Sequence, residues 1–539
     1  MVRRNRLETL VFTAFFCFSV ILMFKTFGVV GGDLKIASKA WSDFAATIPL
    51  IRSFSLGDNF PPEYPIFPGV PIRYHFVFFF LVGMLEKFGI RIDWALNGLS
   101  TVAFFALAVA IYFLAKEVFG KKSVAVLSVV LFAFNGSFSF LEFFKTHLIA
   151  INTFGEIISN TQFPSFGPYD GKIVSAFWNL NIYTNQRHLA LAYAAFLALV
   201  LIIHRASQNP KMLTRTKTIL LGLAIGIFPF IHTAVFGMMG LALIIFFFIY
   251  PQLRLKIFTI GAVAIFLAFP QISYIGASPV NFSYFNPGYL VDKPTLENLF
   301  VYWLSNLGLA AFLAPLGFLV AKRWQRKIFL PFLFLFVVGN LFQFTPDLPT
   351  NHKFFNLFII GANLFVANYL VHLWKKGLVL KATVLILLFF LTFSGIIDIF
   401  PIFNDVYVQI PDYRNNPAAN FIFLKTPKDS VFLNSSFLYN PASLAGRKIF
   451  MGWPYFAWSA GYDTDKSGKT MEKIYTSRER GEICKLLKEN DLDYFTVEDT
   501  SRDPNYPDID VGFFEREFKS IYKDKTLEIF NTSQNCDAI

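Results

Sequence analysis

Asp43 opens a long polar interruption near the start of a mostly apolar chain, in the stretch "WSDFAATIPLIRSFSLGDNFPPEYPIFPGVPIRYHF" (Trp41–Phe76). A carboxylate close to a bilayer is costly unless it has a partner or a task. It can take a proton from a hydroxyl as general base, or ligate a metal. A plainer reading makes Ser42 or Asp43 the N-cap of the apolar run that follows. Further along the loop, "GDNFPPEYP" predicts a turn containing Asp58 and then a stiff extended segment. Glu63, Arg73 and His75 either line a substrate pocket or tie the loop to itself through ion pairs.

Two basic pairs could meet a phosphate. Arg187 and His188 stand in "YTNQRHLALAYAAF", and His352 and Lys353 in "FTPDLPTNHKFFNLF". Arginine binds phosphate in a bidentate fork, whereas at a membrane edge it can also merely snorkel. Asn351 is placed to cap the helix after it. His232, in "FPFIHTAVF", falls between two short apolar runs, as a cavity-lining group or a hydrogen-bonded core histidine. The segment "AGRKIFMGWPYFAWSAGYDTDKS" (445–467) offers Trp453, Tyr455, Trp458 and Tyr462 as sugar-stacking rings or interface anchors. Arg447 within it can reach a phosphate or a carboxylate. No CxxC or Cys/His cluster points to a structural zinc. Cys484 and Cys536 can pair, though spacing alone does not show it. Asn434 and Asn531 begin glycosylation sequons.

The elements that must position these groups are helices in a membrane. Of 539 residues, 55% are hydrophobic and 16% charged, the composition of a polytopic α-helical membrane protein. The net charge of +12 sits in short loops between apolar runs, which marks topology and argues against nucleic-acid binding. Eleven spans are expected, at 10–29, 95–115, 123–141, 188–204, 217–231, 233–250, 256–275, 299–320, 328–344, 355–373 and 380–398. The basic start and first apolar run are expected to stay as a retained helix, not a cleaved signal. The apolar core of 74–90 is too short to cross before Glu86 and Lys87. If it does not cross, the basic clusters "RRNR", "KEVFGKK", "HRASQNPKMLTRTK", "QLRLK", "KRWQRK" and "WKKGLVLK" share one, cytoplasmic, face. The outer face then receives 30–94, 142–187, 276–298, 345–354 and all that follows about residue 400. The tail, 401–539, is expected to be an extracytoplasmic soluble α/β domain beside a transmembrane domain, 1–400. Within it "KTPKDSVFLNSS" predicts a strand, "ERGEICKLLKENDLDYFTV" a helix and strand, and "FKSIYKDKTLEIFNTS" a hairpin.

A first helix, an outer loop with an early Asp, a Pro-rich stretch and a "YH"-led aromatic helix resemble the GT-C superfamily of membrane glycosyltransferases. That superfamily includes protein O-mannosyltransferases, aminoarabinose transferases and oligosaccharyltransferases. The likeness over Ser42–Phe76 is closer still to uncharacterised bacterial members whose first loop reads roughly "D…LIRSFSxGxNFPPExPxFxGxPxRYHF". The resemblance implies a multi-pass plasma-membrane enzyme with its N-terminus cytoplasmic. Its donor would be a polyprenyl-phosphate sugar and its acceptor a glycan, lipid or protein. Asp43 is implied as the catalytic base, Arg187, His188, His352 and Lys353 as donor-phosphate ligands, and Glu63, Arg73, His75, Trp453 and Tyr462 as the substrate pocket. A divalent metal is left open, because Thr47 and Phe79 stand where relatives are expected to carry a His and an acid. The competing readings are a transporter or flippase of a lipid-linked glycan, or an inactive scaffold. Internal repeats and acids within spans would favour a transporter; the sequence shows no repeat, and the one acid in an expected span, Asp398, stands at its end.

Overall fold

The computed structural model describes residues 6–165, 173–501 and 503–537; of the "RRNR" cluster only Arg6 falls within them. The chain forms two compact units. One comprises the segment up to Thr26 with Gly98–Gln271 and Ser283–Val406. The other comprises Phe27–Asn97, Ile272–Phe282 and the chain from Tyr407.

The first unit is helical. Helices occur at Arg6–Thr26, Ile92–Phe119, Lys122–Ala133, Leu189–Gln208, Arg215–Gly226, Phe228–Ile249, Arg254–Ile275, Leu296–Leu307, Ala310–Val320, Arg323–Leu341, His352–Trp374 and Leu378–Phe403. Among the described residues, seven helices are long and apolar enough to cross a bilayer, or eight if a bent pair counts as one.

Several expected boundaries move, each for a local reason. The span expected at 299–320 is two helices bent by 85°. Gly308 stands at the break with φ +56, and a Cβ there would lie 1.9 Å from the Gly136 carbonyl oxygen. The span expected at 123–141 stops at Ala133, because the Asn135 side chain accepts from the Ser137 N–H and hydroxyl and so competes with the helix. The span expected at 10–29 ends at Thr26, where the chain turns into a strand. The helix at Phe228–Ile249 is kinked, with His232 at φ −167 and ψ 95.

The Arg6–Thr26 and Ile92–Phe119 helices run antiparallel. Glu8 accepts from Lys116 at 2.6 Å, Phe12 meets Tyr112 at 5.0 Å, and Phe15 meets Phe104 at 5.5 Å. The chain between them therefore leaves and returns at one end. Of the two helices it contains, Trp41–Ser55 and Val77–Lys87, the second is 11 residues long, or about 16 Å. That is about half of a hydrocarbon core. The helix within residues 74–90 is thus shorter than a span needs.

The basic clusters gather at one end of this unit. Arg205 pairs with Glu117 at 3.0 Å, His204 stacks on Trp324 at 5.3 Å, and Lys327 lies over Tyr250. Lys256 donates to the Pro210 carbonyl. Burial, and then the charges of Lys375 and Lys322, push the Lys121 ammonium below its ordinary range.

The second unit carries the strands. β1 (Phe27–Val30), β2 (Asp33–Ala37) and β5 (Tyr407–Pro411) form an antiparallel sheet in the order β1-β2-β5. That pairing joins the first loop to the start of the tail. β3 (Glu63–Tyr64) and β4 (Phe67–Pro71) make a short hairpin. In the tail, β6 (Val431–Leu433), β7 (Lys448–Ile449), β8 (Tyr494–Val497), β9 (Ser520–Lys523) and β10 (Glu528–Asn531) form a mixed sheet ordered β7-β6-β8-β10-β9. The predicted strand, helix–strand and hairpin appear in it as β6, Arg480–Glu489 with β8, and β9–β10. Leu433, Phe495, Val497 and Phe530 on the strands pack with Ile483 and Leu487 on that helix in one core. Cys484 and Cys536 are disulfide-bonded.

Candidate active site

Asp43 is the third residue of the Trp41–Ser55 helix and is half-buried. The capping reading does not hold: the N-cap is Ala40, and no side chain caps the helix. In the first turn the carboxylate still sits at the positive end of the helix dipole, which favours its charged form.

This helix is held by a buried ion-pair triad. Arg52 is 1% exposed; it pairs with Glu86 at 3.2 Å and Asp412 at 2.8 Å and lies over the Tyr413 ring at 4.7 Å. Ser55 donates to the free edge of Glu86 at 2.6 Å. The same helix ends where Gly57 passes the backbone of Gly446; a Cβ on Gly57 would lie 2.1 Å from the Gly446 carbonyl oxygen. Arg447 follows, buried, and donates to the carbonyls of Phe423, Thr426 and Ala445. It caps the C-terminal turn of the Pro417–Lys425 helix, so the expected phosphate or carboxylate partner is replaced by backbone carbonyls.

Burial pushes the Glu86 carboxyl above its ordinary 4.5, against the opposing pull of the Arg52 charge. Between 4.5 and that raised value the folded state keeps a proton that the unfolded chain has lost. Glu86 therefore stabilises the fold most below 4.5, and that contribution falls as pH rises through the window. Glu86→Gln is expected to abolish this contribution in the variant, so the difference between wild-type and variant unfolding temperatures should change with pH across the weakly acidic range. A difference independent of pH would contradict it.

Around Asp43 stand three phenols. Burial pushes Tyr74 and Tyr439 up, and the Asp43 charge adds to it; Tyr64 is raised by burial and by Tyr74, Tyr462 and Asp43 in turn. All three stay protonated and able to donate. Tyr439, from the tail, also donates its hydroxyl to the Trp41 carbonyl in the first turn of the Asp43 helix. Thr47 lies one helical turn beyond Asp43, half-buried, and Phe79 is buried.

A row of rings leads away from the aspartate. Tyr74 stacks on Tyr64 at 5.9 Å, and Tyr64 on Tyr462 at 5.7 Å. Tyr462 is buried and serves as a layer in this row. Its hydroxyl accepts from the Arg73 N–H at 2.7 Å, while the Arg73 guanidinium donates to Gly461 O at 2.6 Å. Arg73 and Tyr462 line a cavity of about 410 Å³ together with Asp463, Lys466, Ser467 and Asn490. His75 is buried and stacks on Tyr74 at 4.0 Å. Glu63 does not line that cavity but pairs with Lys448 at 2.6 Å, tying the hairpin to the tail. Trp453 packs on the tail core, edge-on to Phe437 at 5.8 Å. Asn434 is fully buried and donates to Met451 O, so its sequon is closed to modification.

In the helical unit, the four expected phosphate ligands gather at the end opposite the basic clusters. His188 is the N-cap of the Leu189–Gln208 helix, and His352 the first residue of the His352–Trp374 helix. His232, at the kink, brings its ring to 5.3 Å from that of His188. Lys353 lies within electrostatic reach of His188, His232 and His352. His352 binds Asn356 Oδ1 at 2.8 Å and Gln186 Nε2 at 3.3 Å. Asn351 holds the N-cap position, but its amide donates to the carbonyls of Gly339 and Phe342 instead of capping. Arg187 differs from expectation. It is 1% exposed and donates to Thr184 O, Met23 O, Met23 Sδ and the Thr26 hydroxyl. Its guanidinium fastens the end of the first helix.

No family model and no curated protein matches the chain. Solved structures do, among them the following two. ArnT from Cupriavidus metallidurans, in its apo state, matches with a TM-score of 0.52 over 97% of this chain and 98% of that one, at 10% identity. The Archaeoglobus fulgidus oligosaccharyltransferase, in complex with zinc and sulfate, matches with a TM-score of 0.51 over 95% and 71%, at 12% identity. The chain shares the fold of these two proteins and, by its long apolar helices, is a multi-pass membrane protein.

Proposed function

We propose that this chain is a membrane glycosyltransferase that moves a sugar from a polyprenyl-phosphate donor to an acceptor hydroxyl at the outer face. The observation that carries the reading is Asp43: an acid in the first turn of a helix, among protonated phenols, in a chain with the GT-C fold. Asp43 takes the acceptor's proton as its oxygen bonds to the anomeric carbon. The bond from that carbon to the phosphate oxygen breaks, and polyprenyl phosphate leaves. A direct displacement of this kind inverts the anomeric centre. Lys353 receives the phosphate charge, and the helix N-termini that begin near His188 and His352 add their positive ends. Arg187 acts as a positioning residue. The cavity beside Arg73 takes the acceptor.

The outward placement of the tail is supported by its disulfide, which suits an oxidising compartment. The basic clusters then face the cytoplasm by the positive-inside rule. Lys353→Met is expected to raise the donor KM about tenfold or more, the worth of one charged phosphate contact. Transfer of labelled sugar from polyprenyl phosphate, measured over a range of donor concentrations, checks it. An unchanged KM would remove Lys353 from the donor site.

A further inference from the structure

Part of the expected polar outer loop 142–187 is bare apolar surface. The helices Ser139–Thr146 and Thr153–Ser159 bury one side: Phe140, Phe143 and Ile157 cluster with Ile397, and Phe144, Phe393 and Phe400 pack against them. Asn404 fastens the second helix, donating to Ile158 O at 2.6 Å and Asn160 O at 3.1 Å. The other side is left open. Leu148 is 81% exposed, Ile149 82%, Ile151 106% and Phe154 74%. Four large apolar side chains within seven positions exceed the scattered exposure that a wetted loop tolerates.

What they adjoin indicates what covers them. The two helices sit on the last turns of Leu378–Phe403, which is long and apolar enough to cross a bilayer. That helix has bare apolar residues of its own, including Phe389 and Phe390, and Phe390 meets Phe140 at 5.9 Å. The apolar surface of the spanning helix is thus continuous with the pair at its end. Polar groups of the pair meet one another: Lys145 pairs with Glu142 at 2.7 Å, and Asn152 donates to Glu156 at 2.6 Å. Apolar bulk on one side and short polar pairs beside it suit the headgroup–acyl boundary.

We propose that residues 139–160 form an interfacial anchor whose Leu148, Ile149, Ile151 and Phe154 insert into the edge of the bilayer. The partner is lipid, not a second protein chain. The test uses the full chain in phosphatidylcholine nanodiscs, with Cys17→Ala and Ile151→Cys labelled by bimane, and Phe154→Cys as a second site. Both positions are exposed, so the label displaces no packing. Lipids brominated near the headgroup end of their chains are expected to cut the emission about twofold, with aqueous iodide having little effect. Quenching by iodide alone would place the segment in water and overturn the proposal. Protection from both quenchers would show a protein cover and overturn it equally.

Discussion

Asp43→Asn is expected to lower kcat for sugar transfer by about 10²–10⁴, the usual worth of a general base. The amide keeps the size of the side chain and its hydrogen-bonding reach but cannot accept the acceptor's proton. The unfolding temperature should move little. Asp43 is half-buried, is not the helix cap, and contributes to the helix dipole only about 0.3–1 kcal/mol. Donor KM should stay near its wild-type value, because the phosphate is assigned to Lys353. Kinetics on the variant with labelled donor separate these quantities. Transfer at the wild-type rate would remove Asp43 from the chemistry while leaving the fold assignment untouched.

The second large effect is one of stability. Arg52→Met leaves Glu86 and Asp412 without their shared cation in a buried setting. Breaking such a group costs about 3–5 kcal/mol, because the remaining charges stay desolvated and unpaired. The Trp41–Ser55 helix that carries Asp43 loses its tie to the Val77–Lys87 helix and to the residue after β5. Thermal unfolding in detergent should show the loss. Adding Glu86→Gln and Asp412→Asn to the variant should restore much of it, since a neutral core tolerates what a broken triad does not. A single variant as stable as wild type would show that the triad does not hold this helix.

The sequence made the helical frame legible because apolar runs of span length have few alternatives, and the strands of the tail because their alternation and turns are local. What escaped it was long-range. The bend at Gly308 depends on the approach of the Gly136 backbone, and no local signal near residue 308 reveals that neighbour. Arg447 and Arg187 looked like phosphate ligands because a sequence shows a charge without its surroundings. Both prove to be buried and committed to carbonyl and hydroxyl groups. His232 had two readings, and its ring lies beside His188. Asp43 stood out by its place in the loop, whereas Tyr64, Tyr74 and Tyr439 did not, since Tyr439 is nearly 400 residues away from it. The Arg52 triad likewise joins three distant segments that share no pattern.

The most direct measurement of the central claim uses the purified wild-type protein in liposomes with a polyprenyl-phosphate donor labelled in its sugar. Label is expected to leave the lipid for an acceptor hydroxyl, with inverted anomeric configuration and one polyprenyl phosphate released per sugar moved. Label that stays on the lipid and only changes leaflet would contradict it and make the protein a carrier.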